Sequence, residues 1–339
     1  MLLPSTYVAA VVLLLISCVC LGSWPNTFKV SGSRWRFELY YVDFAIGALA
    51  AAALMALTFG TLGSELSFSD RIAVAGLRSQ ALAVTGGFVF SIGNMLLLAA
   101  VSLLGLAGSF PFVFAIGLVV GALASFSDAS PLLLIPGILV LLGTAVTVLA
   151  ALRARVVSVS KTQKQPGIAA RKRTTKGLIA AGVGGLFIGG SYPIADTAFW
   201  GDLGLGAYGG VLMFCVGIVI STAFFTLFLM NIAIEGPPLT PRSYLQGDFR
   251  VHALGLAGGA IWAAGTLAGL LARSAPPGSA PSTRSWLLWD DGSVLVAMFW
   301  GIVVWGEFGR TSRTAKVLIA LAALLFGGGL LLIAFRSNG

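Results

Sequence analysis

The sequence predicts an all-α polytopic membrane protein, with ten transmembrane helices in two inverted-topology repeats of five. Three observations lead there. Hydrophobic residues make up 58% of the chain and charged residues only 10%, with a mean hydropathy of +0.97. Soluble domains sit nearer half apolar and a quarter charged. The apolar residues also form continuous runs of about twenty, enough for a helix to cross ~30 Å of hydrocarbon, whereas barrel strands would alternate. Finally, fragments of the first half recur, in order, in the second. This composition excludes an ordinary soluble enzyme, a disordered chain and a disulfide scaffold.

Taken in order, the apolar segments span 6–28, 40–60, 76–100, 106–125, 131–152, 177–199, 207–234, 252–272, 286–306 and 315–335. Leu15-Ile16-Ser17-Cys18 superficially matches a lipoprotein cleavage box, but no basic residue precedes it. The first run is therefore treated as a retained helix. Cys18, Cys20 and Cys215 all lie inside apolar runs and read as packing residues, not as a metal or disulfide set. Between the fifth and sixth segments, residues 153–176 carry eight Lys and Arg and no acidic residue. This linker separates a first repeat, 1–152, from a second, 177–339.

Charge sets the orientation. The net charge is +9, and 16 of the 21 basic residues fall in the loops after odd-numbered segments. Basic loops stay in the cytoplasm. Both termini are therefore expected outside and the linker inside, in an inner or plasma membrane. The same rule explains the positive charge without nucleic acid.

The repeat rests on three matches. Gly22-Ser23-Trp24-Pro25 is paired with Gly190-Ser191-Tyr192-Pro193 at an offset of 168. The run Gly86–Asn94 is paired with Gly258–Thr266 at 172, and Gly117-Leu118-Val119-Val120 with Gly301-Ile302-Val303-Val304 at 184. Each half holds an odd number of segments, so the second enters the membrane upside down, as in many secondary transporters.

No Walker motif is present, and the chain holds one histidine, His252. A built-in ATP motor, a multi-histidine metal site and a conventional Ser-His pair are therefore unsupported, and no cofactor is implied. Trp24-Pro25 and Tyr192-Pro193 each put a proline inside an apolar run, which kinks or unwinds a helix. Inverted symmetry places one pair toward each membrane face, so Pro25 and Pro193 are either ordinary kinks or paired gates. Carboxylates within spans are costly and default to function. Asp196, near the second kink, is a candidate for proton handling or substrate binding, or an interfacial residue. Asp43 and His252 are further proton-coupling candidates, His252 with a plain helix-end alternative. Asn26, Asn94 and Thr266 offer hydrogen bonds. Phe90 and Trp262, equivalent in the two halves, form an aromatic clamp or face lipid. The glycine pairs ahead of them permit close helix packing. Glu307 is expected in solvent, and Trp286, Trp289, Trp300 and Trp305 suit an interfacial belt.

Gly22–Lys29 followed by Tyr41-Val42-Asp43 resembles the first two helices of the plant ureide permeases. Phe90-Ser91-Ile92-Gly93-Asn94, with Gly105-Leu106-Ala107 and Phe110-Pro111-Phe112, is similar to the same family, as is the run His252–Trp262. That family sits in the drug/metabolite transporter superfamily, beside bacterial glucose/ribose and rhamnose porters. The resemblance implies ten helices, a cytosolic central loop and proton-linked uptake of allantoin, other oxo-heterocycles and uracil. Two features depart from the pattern. The central linker lacks the longer loop's nucleotide-binding-like motif, and the stretch Ala275–Pro281 has no counterpart.

The expectation is a proton-coupled transporter of a small neutral polar solute of ureide or nucleobase type. Trp24, Phe90, Tyr192 and Trp262 would supply flat contacts. Asn26, Asn94, Asp196 and Thr266 would supply hydrogen bonds. A sugar porter is the alternative, ahead of a membrane-embedded lipid enzyme or a non-transporting scaffold. Substrate identity, coupling ion, transport direction and oligomeric state are not written in these residues.

Overall fold

The computed structural model describes residues 1–32, 35–63, 65–124, 138–139, 141–146, 149, 168–201, 203–232, 234–275, 287–308 and 313–336. The fifth apolar segment falls largely outside this set. So do linker residues 153–167, Asp128, Asp202 and Trp286.

Every described segment is helical, and no strand occurs among the described residues. Helix α1 (Tyr7–Ser23) starts where the Thr6 hydroxyl accepts from the Ala9 N–H, and α2 (Pro25–Ser31) begins with Pro25 in its first turn. Proline is tolerated there because that N–H would have no helical partner. Trp24, at helical backbone angles, stands between α1 and α2. Helix α3 is Phe37–Leu57, α4 is a short turn at Phe68–Val74, and α5 is Leu77–Leu104. Gly105, at φ 84°, ends α5 in a conformation that favours glycine, and α6 (Leu106–Ala124) follows directly.

The second half holds α7 (Ile168–Phe199), α8 (Gly206–Ile232), α9 (Phe249–Arg273), α10 (Leu287–Phe299) and α11 (Arg313–Arg336). A 3₁₀ turn, Pro241–Gln246, precedes α9, and a π-turn, Trp300–Val304, follows α10. Helix α7 begins earlier than its apolar run. Its basic first turns continue the helix, and Arg173 pairs with Glu235 and donates to the Ser102 carbonyl. Among the described residues, six helices are long and apolar enough to cross a membrane: Tyr7–Ser31, Phe37–Leu57, Leu77–Leu104, Lys172–Phe199, Gly206–Ile232 and Phe249–Arg273. The chain is a multi-pass membrane protein.

Two sets of contacts mirror one another. Helix α5 packs on α7 and crosses α8, while α9 packs on α1 and crosses α3. Glycines set both crossings. A Cβ on Gly87 would lie 1.9 Å from the Phe214 carbonyl oxygen, and one on Gly259 would lie 2.0 Å from that of Phe44. In return, a Cβ on Gly217 would lie 2.0 Å from the Val84 carbonyl oxygen, and one on Gly47 would lie 2.1 Å from that of Leu256. Without these glycines the backbones could not approach so closely.

One end of the bundle, here end A, gathers the N-terminus and the connections after α3, α7 and α9. End B gathers the connections after α2, α5, α8 and the π-turn. At end B the Glu307 carboxylate accepts from the Leu106 and Ala107 N–H groups at 2.8 and 3.0 Å and pairs with Lys29 at 2.5 Å. It caps the start of α6 instead of standing in solvent, because orphan N–H groups at a helix start attract a carboxylate. Trp300 and Trp305 also differ from a simple lipid-facing belt. Their ring N–H groups donate to the Ser23 hydroxyl and the Asn26 side-chain oxygen at 2.8 and 2.6 Å, pinning the junction of α1 and α2.

Candidate functional site

Aromatic side chains from both halves meet at mid-bundle. Phe90, halfway along α5, lies 5.1 Å from Trp262, halfway along α9, between ring centroids. Phe214 of α8 stacks near-parallel on Trp262 at 6.2 Å and approaches Phe90 at 5.4 Å. On the other side of this pair, Phe44 of α3 touches Trp262 at 5.9 Å and Trp24 at 4.8 Å. Tyr192 touches Phe90 at 6.5 Å.

From this cluster a cleft of about 690 Å³ of empty space, counted to its open mouth, runs toward end A. Its floor and walls are aromatic and aliphatic: Phe90, Trp262, Phe214, Tyr192, Phe199 and Leu270 among them. Its polar groups are few. Thr266 lines it, but its hydroxyl donates to the Trp262 carbonyl at 3.0 Å. Toward end A stand Asp196 from α7 and Arg273 from α9, with Arg273 Nη1 donating to Asp196 Oδ1 at 3.0 Å. The Trp200 ring N–H donates to the same oxygen at 3.0 Å, and the guanidinium lies 4.8 Å above the Trp200 ring. The carboxylate Asp196 brings into a span is thus charge-paired rather than isolated.

Five of the eight residues expected to hold a solute therefore line one cleft: Phe90, Tyr192, Asp196, Trp262 and Thr266. The other three lie elsewhere. Trp24 is 2% exposed beneath Phe44. Asn94 is 1% exposed and donates to the Tyr41 hydroxyl at 3.3 Å. Asn26 is taken up by Trp305 and by the Ser23 carbonyl, to which it donates at 2.8 Å. Each is held by a neighbour on the end-B side of the aromatic cluster. Pro25 opens α2, and Pro193 lies within the continuous helix α7.

Asp43 and His252, expected separately, form one unit at end B. His252 Nδ1 lies 3.0 Å from both Asp43 carboxylate oxygens, and the Tyr244 hydroxyl donates to Asp43 Oδ1 at 2.5 Å. The unit ties α3, α9 and the turn before α9 together, with Trp35 packed edge-on to the imidazole at 5.0 Å. Burial, and the carboxylate it donates to, push the Tyr244 phenol well above its usual range, so it stays a donor.

Three residues of this arrangement escaped the sequence reading. Phe44 and Phe214 sit in Phe44-x-x-Gly47 and Phe214-x-x-Gly217, at an offset of 170, between two offsets already noted. Arg273 counted only as a loop charge. Among the described residues, no group of His, Cys, Asp or Glu is arranged to hold a metal.

Comparison with known proteins adds a kinship. Residues 40–175 match the family model described as ureide permease. Ureide permease 2 of Arabidopsis thaliana is 30% identical over 122 residues, covering 34% of this chain and 31% of that protein. Probable ureide permease A3 of Vigna unguiculata is 29% identical over 122 residues, covering 34% of this chain and 32% of that one. The matched part thus spans about a third of these relatives' length. One solved crystal structure shares the fold over 97% of both chains, with a TM-score of 0.55 and 17% sequence identity.

Proposed function

From this kinship with the ureide permease family, borne out as the sequence resemblance implied, we propose that the chain is a secondary transporter and not an enzyme. It carries a small neutral polar solute of ureide or nucleobase type across a cell membrane. The observation that carries the reading is the cleft itself, a flat aromatic floor at mid-bundle with a polar pair at its mouth, built where two mirror-related sets of helices cross. Phe90, Trp262 and Tyr192 stack on the solute, and Asp196 takes part in its polar recognition. Thr266 shapes the wall.

The mirrored contacts support two inverted repeats of five helices. Gly87 and Gly259, and likewise Phe44 and Phe214, exchange roles between halves. Their repeat mates place Trp24 and Tyr192 on opposite sides of the cluster. The Tyr192 side is open toward end A, and the Trp24 side is shut. Exchanging the two arrangements moves the cleft from one membrane face to the other. Trp24-Pro25 and Tyr192-Pro193 are then equivalent gating elements, although Pro193 stands within the continuous helix α7 here. By the distribution of basic residues, end A faces outside, with both termini, and end B faces the cytoplasm.

Coupling runs through protons. Asp43 and His252, bonded to each other at end B, are the pair that takes up and releases the proton. Coupling charge and opening in one unit is how a proton gradient does work on the solute.

The test is uptake into proteoliposomes holding the purified full chain. Labelled allantoin and uracil should accumulate saturably under an imposed pH gradient, and a protonophore should abolish the accumulation. Displacement by glucose, ribose or rhamnose, with no effect of unlabelled ureides, would overturn the ureide reading in favour of a sugar porter.

A further inference from the structure

Helix α2 lies between two breaks. Pro25 opens it with no N–H to bond back into α1, and Gly32, at φ 83° with open space around it, ends it. One side of this short helix rests against the aromatic cluster. Trp24, at its head, packs on Phe44, which touches Trp262 on the cleft floor. Phe28 meets Tyr40 edge-on at 5.2 Å, and the Thr27 and Tyr40 hydroxyls share a hydrogen bond of 2.6 Å. The same helix is fastened to the segment after α10. Lys29 pairs with Glu307 and lies 4.6 Å over the Trp305 ring, and Trp305 donates to Asn26. The Glu307 carboxylate sits where two glycines make room for it. A Cβ on Gly105 would lie 2.7 Å from its carboxyl carbon, and one on Gly301 would lie 2.8 Å from its Oε2.

We propose that α2 is a lid over the end-B side of the aromatic cluster and that Glu307 is the catch that holds it. The carboxylate satisfies the first N–H groups of α6 and binds the Lys29 ammonium, so a residue of the second half ties α2 to α6. A cap for α6 alone needs only a short polar side chain beside the helix start. This one arrives from 201 residues away, on the same short segment as Trp305. Lys29 and Glu307 stand at the end of the bundle, 19% and 13% exposed, so parting passes their charges to water and not to hydrocarbon. Swinging α2 about Pro25 and Gly32 uncovers Tyr40 and Phe44 and gives the cluster a way out at end B. The proposal rests on the transport reading above and adds to it a positioning residue, Glu307, that touches no solute.

The test places one thiol under the lid, by Phe28→Cys in the full chain with Cys18, Cys20 and Cys215 replaced. A polar maleimide should modify it slowly in purified protein. Glu307→Gln and Lys29→Gln, each breaking the ion pair, should speed modification at least about tenfold, as loss of a charge-assisted bond does. A thiol from Met95→Cys, fully buried between α5 and α8, should stay protected in the same variants. Unchanged protection at position 28 overturns the proposal. So does equal acceleration at 28 and 95, which would mean that Glu307 only stabilises the fold. A second measurement needs no weakened catch. A water-soluble carbodiimide activates the Glu307 carboxylate, and the Lys29 amine displaces the urea to leave an amide. Joined chains should show no modification at position 28. Native chains should lose exchange of labelled uracil or allantoin in step with the joined fraction, while Lys29→Gln treated alike keeps the exchange it had before. Joined chains that still exchange solute overturn the lid. Native protein that moves neither solute overturns the transport reading, and the labelling at position 28 still decides the lid.

Discussion

Asp43 illustrates how one carboxylate is placed for two purposes. His252 and Tyr244 both bond to it, from the start of α9 and from the turn before it. Asp43→Asn preserves the side chain's shape but removes the charge that His252 faces. Accumulation driven by a pH gradient is expected to fall at least about tenfold, a cost of ~1.4 kcal/mol or more. Exchange of labelled for unlabelled solute at equal pH should persist. Parallel uptake and exchange assays check this, and equal losses in both would show Asp43 to be structural. Tyr244→Phe should behave differently, lowering stability by about 1 kcal/mol while coupling survives. The sign of the pH effect follows from the phenol's raised value. The bond is fully present below the unfolded value of about 10 and is lost only as pH rises through the folded one, so Tyr244 adds no pH dependence near neutrality. Little of this unit was legible in the sequence. Asp43 and His252 were each singled out, but 209 residues separate them, and nothing in a linear pattern pairs groups so far apart. Arg273 was overlooked for a related reason. A basic residue ending an apolar run looks like an interfacial charge until a facing helix supplies its carboxylate.

At the scale of elements, the helices were largely legible because continuous apolar length decides them. The eighth segment, expected at 252–272, is observed at Phe249–Arg273, and the second, expected at 40–60, at Phe37–Leu57. Misjudged ends have local causes. Basic residues extend α7 backward, and the ninth segment breaks into a helix and a π-turn at Trp300. The crossings between helices were only half legible. Gly86-Gly87 and Gly258-Gly259 announced close packing, but their contacts, the Phe214 and Phe44 carbonyls, did not. The mirrored clearances yield a paired expectation. Gly87→Ala and Gly259→Ala each place a methyl about 2 Å from a backbone oxygen, which cannot rotate away. Overpacking of this kind costs roughly 1–3 kcal/mol. Both variants should therefore lower the melting temperature in detergent by similar amounts. Gly190→Ala, with open space around its added Cβ, should not. Equal stability of Gly87→Ala and the native chain would show that the α5–α8 crossing is looser than drawn.

For the whole molecule, the asymmetry between the two ends carries the mechanism. Thr266 lines the cleft, while Asn94, 172 residues earlier and its counterpart in the proposed repeat, is 1% exposed and bonded to Tyr41. If the two halves exchange conformations, these positions must exchange accessibility. Lys29–Glu307 and the Asp43–His252–Tyr244 unit lie at end B, and Asp196–Arg273 lines the cleft toward end A. Single cysteines at the two positions, Thr266→Cys and Asn94→Cys, made in a chain with Cys18, Cys20 and Cys215 replaced, turn that symmetry into a labelling pattern. A membrane-impermeant thiol reagent outside intact cells should modify position 266 and leave 94 untouched. In inside-out vesicles, an inward solute gradient with acidification of the exposed face should raise labelling at 94 and protect 266. Reaction at 266 only from the cytoplasmic side would reverse the orientation drawn from the basic loops. Position 94 unreactive from both faces under every gradient would mean that end B never opens along this route, and that the mirror exchange is wrong. The reciprocal pattern follows only if one cleft, closed in turn by the segments at Pro25 and Pro193, serves both faces.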